Sequence, residues 1–121
     1  MSKYSVIKYE NQSLVVPHFV SIPVLPGDGI GPEVWDATKQ VVDHLLDTIY
    51  AGQRHINWVE CMAGQTAFKK TGQYLPDETL ETIVNHLVAV KGPLMTPVGG
   101  GIRSLNVHLR KQFDLYACVR P

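Results

Sequence analysis

Residues 22–34 read IPVLPGDGIGPEV, and this stretch decides the fold. The apolar run at 20–25 predicts a strand buried on both faces, which ends at Pro26. A glycine-rich turn follows, and Gly31-Pro32 is a favourable helix start because proline at the first helical position loses only an amide that had no partner. Apolar residues then recur at helical spacing up to about Tyr50: Val34, Ala37, Val41, Leu45 and Ile49. The stretch therefore predicts a strand, a tight turn and a helix.

The rest of the chain continues the same alternation of strands and helices. We predict two short strands within 4–16 around a polar turn, further strands at 56–61, 87–90 and 115–119, and helices at 63–71, 75–86 and 104–112. Strands that alternate with helices predict an α/β protein with a parallel or mixed sheet. No repeat, linker or low-complexity tract divides the 121 residues, so we expect a single domain at most.

The charge balance excludes some classes of partner. Eleven basic and eleven acidic residues cancel, which argues against a dedicated binder of nucleic acid or of membrane surfaces. Five basic residues and one acid lie from Lys91 onward, so positive charge is concentrated at the end of the chain. The beginning of the sequence lacks the apolar core of a signal peptide, and we expect a cytoplasmic protein. Cys61 and Cys118 have no metal-site spacing, and we expect both to be buried free thiols.

The turn at 27–31 has the spacing GxGxG rather than the GxGxxG of a dinucleotide-binding fingerprint. No acid follows where the ribose carboxylate of such a site should come. A tight turn that requires glycine torsions is therefore favoured over a pyrophosphate site. Asp28 is expected to stabilise this turn rather than to act as a functional acid.

A second glycine loop, at 99–101, precedes a cluster that favours an anion. Glycine lets backbone amides approach a ligand, and the following helix start offers unpaired N–H groups. Asn106 and Arg110 are four residues apart, so they share one helix face, and Ser104 can cap that helix. The arginine fork suits carboxylates, and phosphates are the alternative, although the loop lacks the GK[ST] ending of a P-loop. The cluster also contains Arg103 and Arg120, and no histidine pair has metal-ligand spacing.

Three segments together resemble a known family: IPVLPGDGIGPEV, LPDETL and VAVKGPLMTPVGGGIRSLNVHLRKQFDLYACVRP. They are similar to the N-terminal quarter to third of the bacterial, homodimeric, NADP-dependent isocitrate dehydrogenases. The related isopropylmalate dehydrogenases share the first motif but lack the SxNxxLR pattern. The resemblance implies a three-layer isocitrate/isopropylmalate dehydrogenase-like α/β fold that is not a Rossmann fold. Residues 1–121 would be the N-terminal part of its large domain, without the remainder of the enzyme.

The resemblance also implies roles for individual residues. Ser104, Asn106, Arg110 and Arg120 match isocitrate-binding positions, and Ser104 matches a serine that a dedicated kinase phosphorylates. Thr96 matches the second of two threonines beside the nicotinamide and the substrate, whereas Met95 replaces the first, which contacts the cofactor.

The family oxidises and decarboxylates isocitrate with NADP and Mg²⁺ or Mn²⁺. The resemblance places the metal ligands and the proton-transfer residues after Pro121, so no catalytic or metal-binding residue is assigned here. We expect the parent enzyme to be active and the 121-residue chain alone to be inactive. The alternative is a truncated, non-catalytic remnant that binds an anion or a partner subunit.

Overall fold

The computed structural model describes residues 2–96 and 103–121. Its central element is a parallel three-stranded sheet in the order β4-β3-β5, formed by β3 (Phe19–Leu25), β4 (His55–Glu60) and β5 (Val90–Lys91). The predicted hairpin is present as β1 (Lys8–Glu10) paired antiparallel with β2 (Ser13–Val15). The helices are α1 (Gly31–Tyr50), α2 (Gly64–Thr71), α3 (Asp77–His86) and α4 (Leu105–Gln112).

The strand order determines the layers. The chain passes from β3 through α1 to β4, and then returns through α2 and α3 to β5 on the other side of β3. Right-handed crossovers in opposite directions place α1 on one face of the sheet and α2 and α3 on the other. The core of the described residues lies on the face that carries α2 and α3. There Leu25, at the end of β3, and Cys61, just after β4, pack with Leu105 and Leu109 of α4. The predicted α/β class is therefore confirmed.

The strand predicted at 87–90 is displaced, because the backbone at Leu87 is left-handed (φ 63°) and ends α3, so β5 starts only at Val90. The strand predicted at 115–119 is wrong: this segment is irregular, and Tyr116 and Val119 are almost fully exposed. Alternation alone does not make a strand when no neighbouring strand pairs with it.

The prediction for the cysteines is half right, since Cys61 is buried and Cys118 is exposed. Burial, followed by the charges of Glu78 and Glu60, raises the pKa of the Cys61 thiol.

The turn after β3 is fixed by one buried side chain. Asp28, with 6% exposure, accepts a hydrogen bond from the Gln65 amide at Oδ1 and from the Met95 amide at Oδ2, both at 2.9 Å. The backbone N–H of Asp28 donates to the carbonyl of Pro93 at 2.7 Å. One aspartate thus ties the turn to the start of α2 and to the segment after β5. The prediction that Asp28 has a structural role in the turn is confirmed.

Glycine is required where these segments meet. Gly27 has φ +88°, and a Cβ there would lie 2.1 Å from the carbonyl oxygen of Pro93. Gly64 has φ +74°, and a Cβ there would lie 2.2 Å from Oδ2 of Asp28. The predicted tight turn with glycine torsions is therefore confirmed, and its glycines also permit close packing.

The rotation of α1 about its axis is set by polar contacts to β4. Asp43 accepts hydrogen bonds from Trp58 Nε1 at 2.9 Å and from Lys39 Nζ at 2.8 Å. Burial opposes ionisation of this carboxyl, but these hydrogen bonds prevail and lower its pKa. Trp35 packs edge to face on Trp58, with ring centroids 4.9 Å apart.

Within the described residues, no helix is both long and apolar enough to span a membrane.

Replacing Gly64 with Ala should destabilise the chain more than replacing Gly72 with Ala. Both glycines have left-handed backbones, at φ +74° and +77°, but a Cβ at Gly72 would meet nothing within 4 Å. The control should cost about 1 kcal/mol for its backbone alone. Gly64→Ala should cost about 2 kcal/mol more, because it also displaces the Asp28 carboxylate. Urea unfolding of both variants measures the difference in the free energy of unfolding. Equal losses would contradict the role of the Asp28 hydrogen bonds in fixing the turn.

Candidate anion-binding site

The candidate site is a groove between the end of α3, β5 and α4, with a volume of about 610 Å³. Most of its lining is apolar and comes from the ends of the two helices and from the residues that follow them. Its polar lining residues are Lys91, Asn106 and Arg110, and no acid is among the described residues that line it. The groove therefore combines an apolar wall with two cations that lack a facing carboxylate.

Helix α4 presents two of the residues that were predicted from the sequence. Leu105 and Leu109 are buried in the core, which fixes the orientation of the helix. Asn106 and Arg110 each follow one of these leucines, so they lie beside the buried stripe and reach the groove together. The prediction that they share one face of a helix is confirmed.

Lys91 is the groove residue that the sequence interpretation did not assign to the site. It ends β5, and its Nζ donates to the carbonyl of Gly92 at 2.6 Å. Burial, and then the positive charge of Arg110, lower the pKa of the Lys91 ammonium. The excess of basic residues from Lys91 onward was the available signal, but the 18 residues between Lys91 and Arg110 gave no sign that the two are close in space. Strand pairing of β5 with β3 brings Lys91 under α4.

Ser104 lies at the N-terminus of α4 and is half-buried. Its carbonyl accepts the His108 amide at 3.0 Å, so the residue occupies the predicted cap position. Its hydroxyl makes no capping hydrogen bond to the amides of α4, although a serine at this position commonly does so. The Ser104 hydroxyl is therefore not committed to its own helix.

The remaining candidates are less closely associated. Arg103 and Arg120 are exposed and do not line the groove, so the structure does not bring the whole predicted cluster together. Met95 and Thr96 are exposed, and the Met95 amide donates a hydrogen bond to Asp28. The glycine loop at 99–101 lies outside the described residues. Over the described parts, no group of three histidine, cysteine or acidic residues could hold a metal ion.

Comparison with known proteins identifies the family to which this α/β fold, with its glycine-rich turn, belongs. The family model described as isocitrate/isopropylmalate dehydrogenase matches residues 21–121. The chain therefore belongs to the isocitrate/isopropylmalate dehydrogenase family, and its fold is the N-terminal portion of that type.

The curated relatives include enzymes named isocitrate dehydrogenase (NADP). That of Staphylococcus epidermidis is 52% identical over 115 residues, which cover 95% of this chain and 27% of the relative. That of Streptococcus salivarius is 53% identical over 115 residues, covering 95% of this chain and 29% of the relative. The chain thus spans little more than a quarter of the length of these relatives.

Solved structures agree on the fold. An isocitrate dehydrogenase from Methylococcus capsulatus matches with a TM-score of 0.67 and 44% identity, covering 79% of this chain and 26% of that one. A β-decarboxylating dehydrogenase from Thermococcus kodakarensis matches with a TM-score of 0.62 and 32% identity, covering 79% and 27%. The expected family resemblance is confirmed.

Proposed function

We propose that this chain is the substrate-clamping, N-terminal part of the large domain of an NADP-dependent isocitrate dehydrogenase. The observation that carries the proposal is the pair of cations, Lys91 and Arg110, in a groove whose described lining holds no acid. Burial, and then the positive charge of Arg110, lower the pKa of Lys91, and a bound polyanion would offset the repulsion between the two cations. Isocitrate carries three carboxylates, and the relatives that match this chain are named for it.

Within the proposal, each residue has a defined part. Arg110 grips one carboxylate with its planar fork, and Asn106 donates an amide hydrogen bond from the same helix face. Lys91 adds a second positive charge from β5. Ser104 meets a carboxylate at the N-terminus of α4, where unpaired backbone amides favour an anion. Arg120 is exposed and is assigned to the substrate-binding residues by the family resemblance alone.

The cofactors belong to the proposed whole enzyme, which we expect to be a cytoplasmic homodimer. NADP would contact Thr96 and the apolar side chain of Met95, which is 52% exposed. The described residues do not supply a set of ligands for Mg²⁺ or Mn²⁺, and we assign that ion to the part of the family polypeptide that this chain does not span. When bound, it would stabilise the negative charge that develops during decarboxylation.

The alternative is a non-catalytic remnant that binds an anion or a partner subunit. Both functions use the same groove, and they differ in whether this chain contributes to turnover.

The isolated 121-residue chain should form no NADPH from isocitrate. It spans 27% of the Staphylococcus epidermidis relative, and we assign the proton-transfer and metal-binding groups to the remainder. The measurement is NADPH absorbance with saturating isocitrate, NADP and Mg²⁺. The positive control is a chimera in which this chain replaces the matching segment of that relative. Turnover by the isolated chain, or an inactive but folded chimera, would contradict the proposal.

Replacing Arg110 with Leu in the chimera should weaken isocitrate binding by about 2–5 kcal/mol, because a desolvated carboxylate loses its partner. Lys111→Leu is the matched control, since Lys111 is the adjacent cation on the same helix but does not line the groove. Isothermal titration with isocitrate measures both variants. Equal effects of the two substitutions would place Arg110 outside the site.

Phosphorylation of Ser104 by a dedicated kinase would switch the proposed enzyme off. A phosphate adds about −1.5 to −2 charge at a position where a substrate carboxylate would lie. We therefore expect Ser104→Asp in the chimera to abolish isocitrate binding. Ser104→Ala should lose about 1 kcal/mol of binding, because it removes one hydrogen bond.

Neither Ser104 substitution should shift the melting temperature appreciably, because the hydroxyl makes no capping bond in the structure. Titration calorimetry and a thermal melt of each variant separate binding from folding. Near-normal affinity of Ser104→Asp would remove this serine from the site.

A further inference from the structure

A second cavity, of about 450 Å³, lies on the α1 side of the sheet and shares none of its described lining residues with the candidate anion-binding groove. Its walls come from the carboxyl end of β3, the carboxyl end of β4 with the residues that follow it, and the first half of α1. Ligands of parallel α/β sheets bind at the carboxyl ends of the strands. We call this cavity the tryptophan pocket, because Trp35 and Trp58 both line it.

The two tryptophan rings are held in place by contacts within the chain. Trp58 Nε1 donates to Asp43 Oδ1 at 2.9 Å, and Trp35 packs edge to face on Trp58. Both tryptophans are half-buried, so each retains surface that a ligand can contact. Because these aromatic walls are already ordered, a ligand that packs on them causes little loss of side-chain entropy.

The charged lining of the pocket is negative. Asp36 of α1 and Glu60 of β4 contribute two acids, and Lys39 is the one cation in the described lining. Lys39 Nζ lies 2.8 Å from Asp43 Oδ2, so its charge is balanced by an acid outside the lining. Asp36 accepts a hydrogen bond from the neutral Gln40 amide at 3.0 Å, which leaves its negative charge uncompensated.

This combination of rings and charges selects one class of ligand. An anion would be repelled by the two acids, and the described residues do not supply three metal-ligating groups for an inorganic cation. The face of a tryptophan ring attracts organic cations more strongly than that of any other side chain. Apolar lining residues such as Pro32 and Met62 can pack against the uncharged part of the same molecule.

We propose that the tryptophan pocket binds a small organic cation, an amine carried on an apolar body. The ammonium group would lie against a tryptophan ring, near the acids that α1 and β4 contribute. All of the described lining residues lie between Val24 and Thr66, so this chain by itself supplies the described walls. The inference does not depend on the proposed substrate clamp, because none of the clamp residues lines this pocket.

The two tryptophans of the chain provide a direct readout, because the sequence contains no others and both line the pocket. Titration of the 121-residue chain with phenethylamine should change its tryptophan fluorescence. The amine should bind about tenfold more tightly than 2-phenylethanol, a neutral alcohol with the same aromatic body. Isothermal titration of the chimera should give the same preference.

Substitution of the acids tests the source of that preference. The double variant Asp36→Asn, Glu60→Gln keeps the shape of the lining but removes both charges, so the two probes should then bind about equally. Glu33→Gln is the matched control, since Glu33 is an exposed acid of the same helix that does not line the pocket. This control variant should keep the tenfold preference.

Equal affinity of the unsubstituted chain for the amine and the alcohol would overturn the proposal, as would a preference that survives the double substitution. Calorimetric binding of phenethylamine without any change in tryptophan fluorescence would place the amine elsewhere on the chain. Binding by the isolated chain that the chimera lacks would also overturn the proposal, because the pocket would then be filled in the longer polypeptide. Isocitrate titration of the double variant in the chimera should be unchanged, which separates this site from the clamp.

Discussion

The rest of the structure depends on the Asp28 carboxylate. It is buried, and it accepts one amide from α2 and one from the segment that follows β5. These hydrogen bonds join the turn at Asp28 to two other parts of the chain, which lie 37 and 67 residues further along the sequence. Buried charge is tolerated only when it is hydrogen-bonded in this way, so the clamp specifies one arrangement of the three segments. Glycine at 27 and 64 leaves the space in which that arrangement fits.

The hydrogen bonds of Asp28 also help to position the groove. By fixing the Met95 amide, Asp28 anchors residues 92–96, which follow β5. Leu105 and Leu109 then hold α4 on the core, which leaves Asn106 and Arg110 facing Lys91 across the groove. Burial, and then the positive charge of Arg110, lower the pKa of Lys91. Perturbed pKa values are common where a site binds a charged ligand.

Exposed large apolar side chains occur on several elements, from Tyr9 in β1 to Val119 near the end of the chain. Among them, Val84 and Leu87 line the groove at the end of α3, where they are 57% and 53% exposed. Single exposed apolar residues are ordinary, whereas contiguous ones mark surfaces that contact something else.

The sequence by itself determined the local elements and the chemical type of the site. Gly31-Pro32, the helical spacing from Val34 to Ile49, and the acids at the start of α3 located their helices because each signal acts within a few residues. Asn106 and Arg110 were placed together because helix periodicity alone relates them. Tertiary structure decided what connects distant residues. It brought Lys91 near Arg110, gave the Ser104 hydroxyl no capping bond to its own helix, and left Arg120 out of the described groove lining. Residues 115–119 do not form a strand in the structure. A strand requires a neighbouring strand to share its hydrogen bonds, and no local sequence pattern encodes that neighbour.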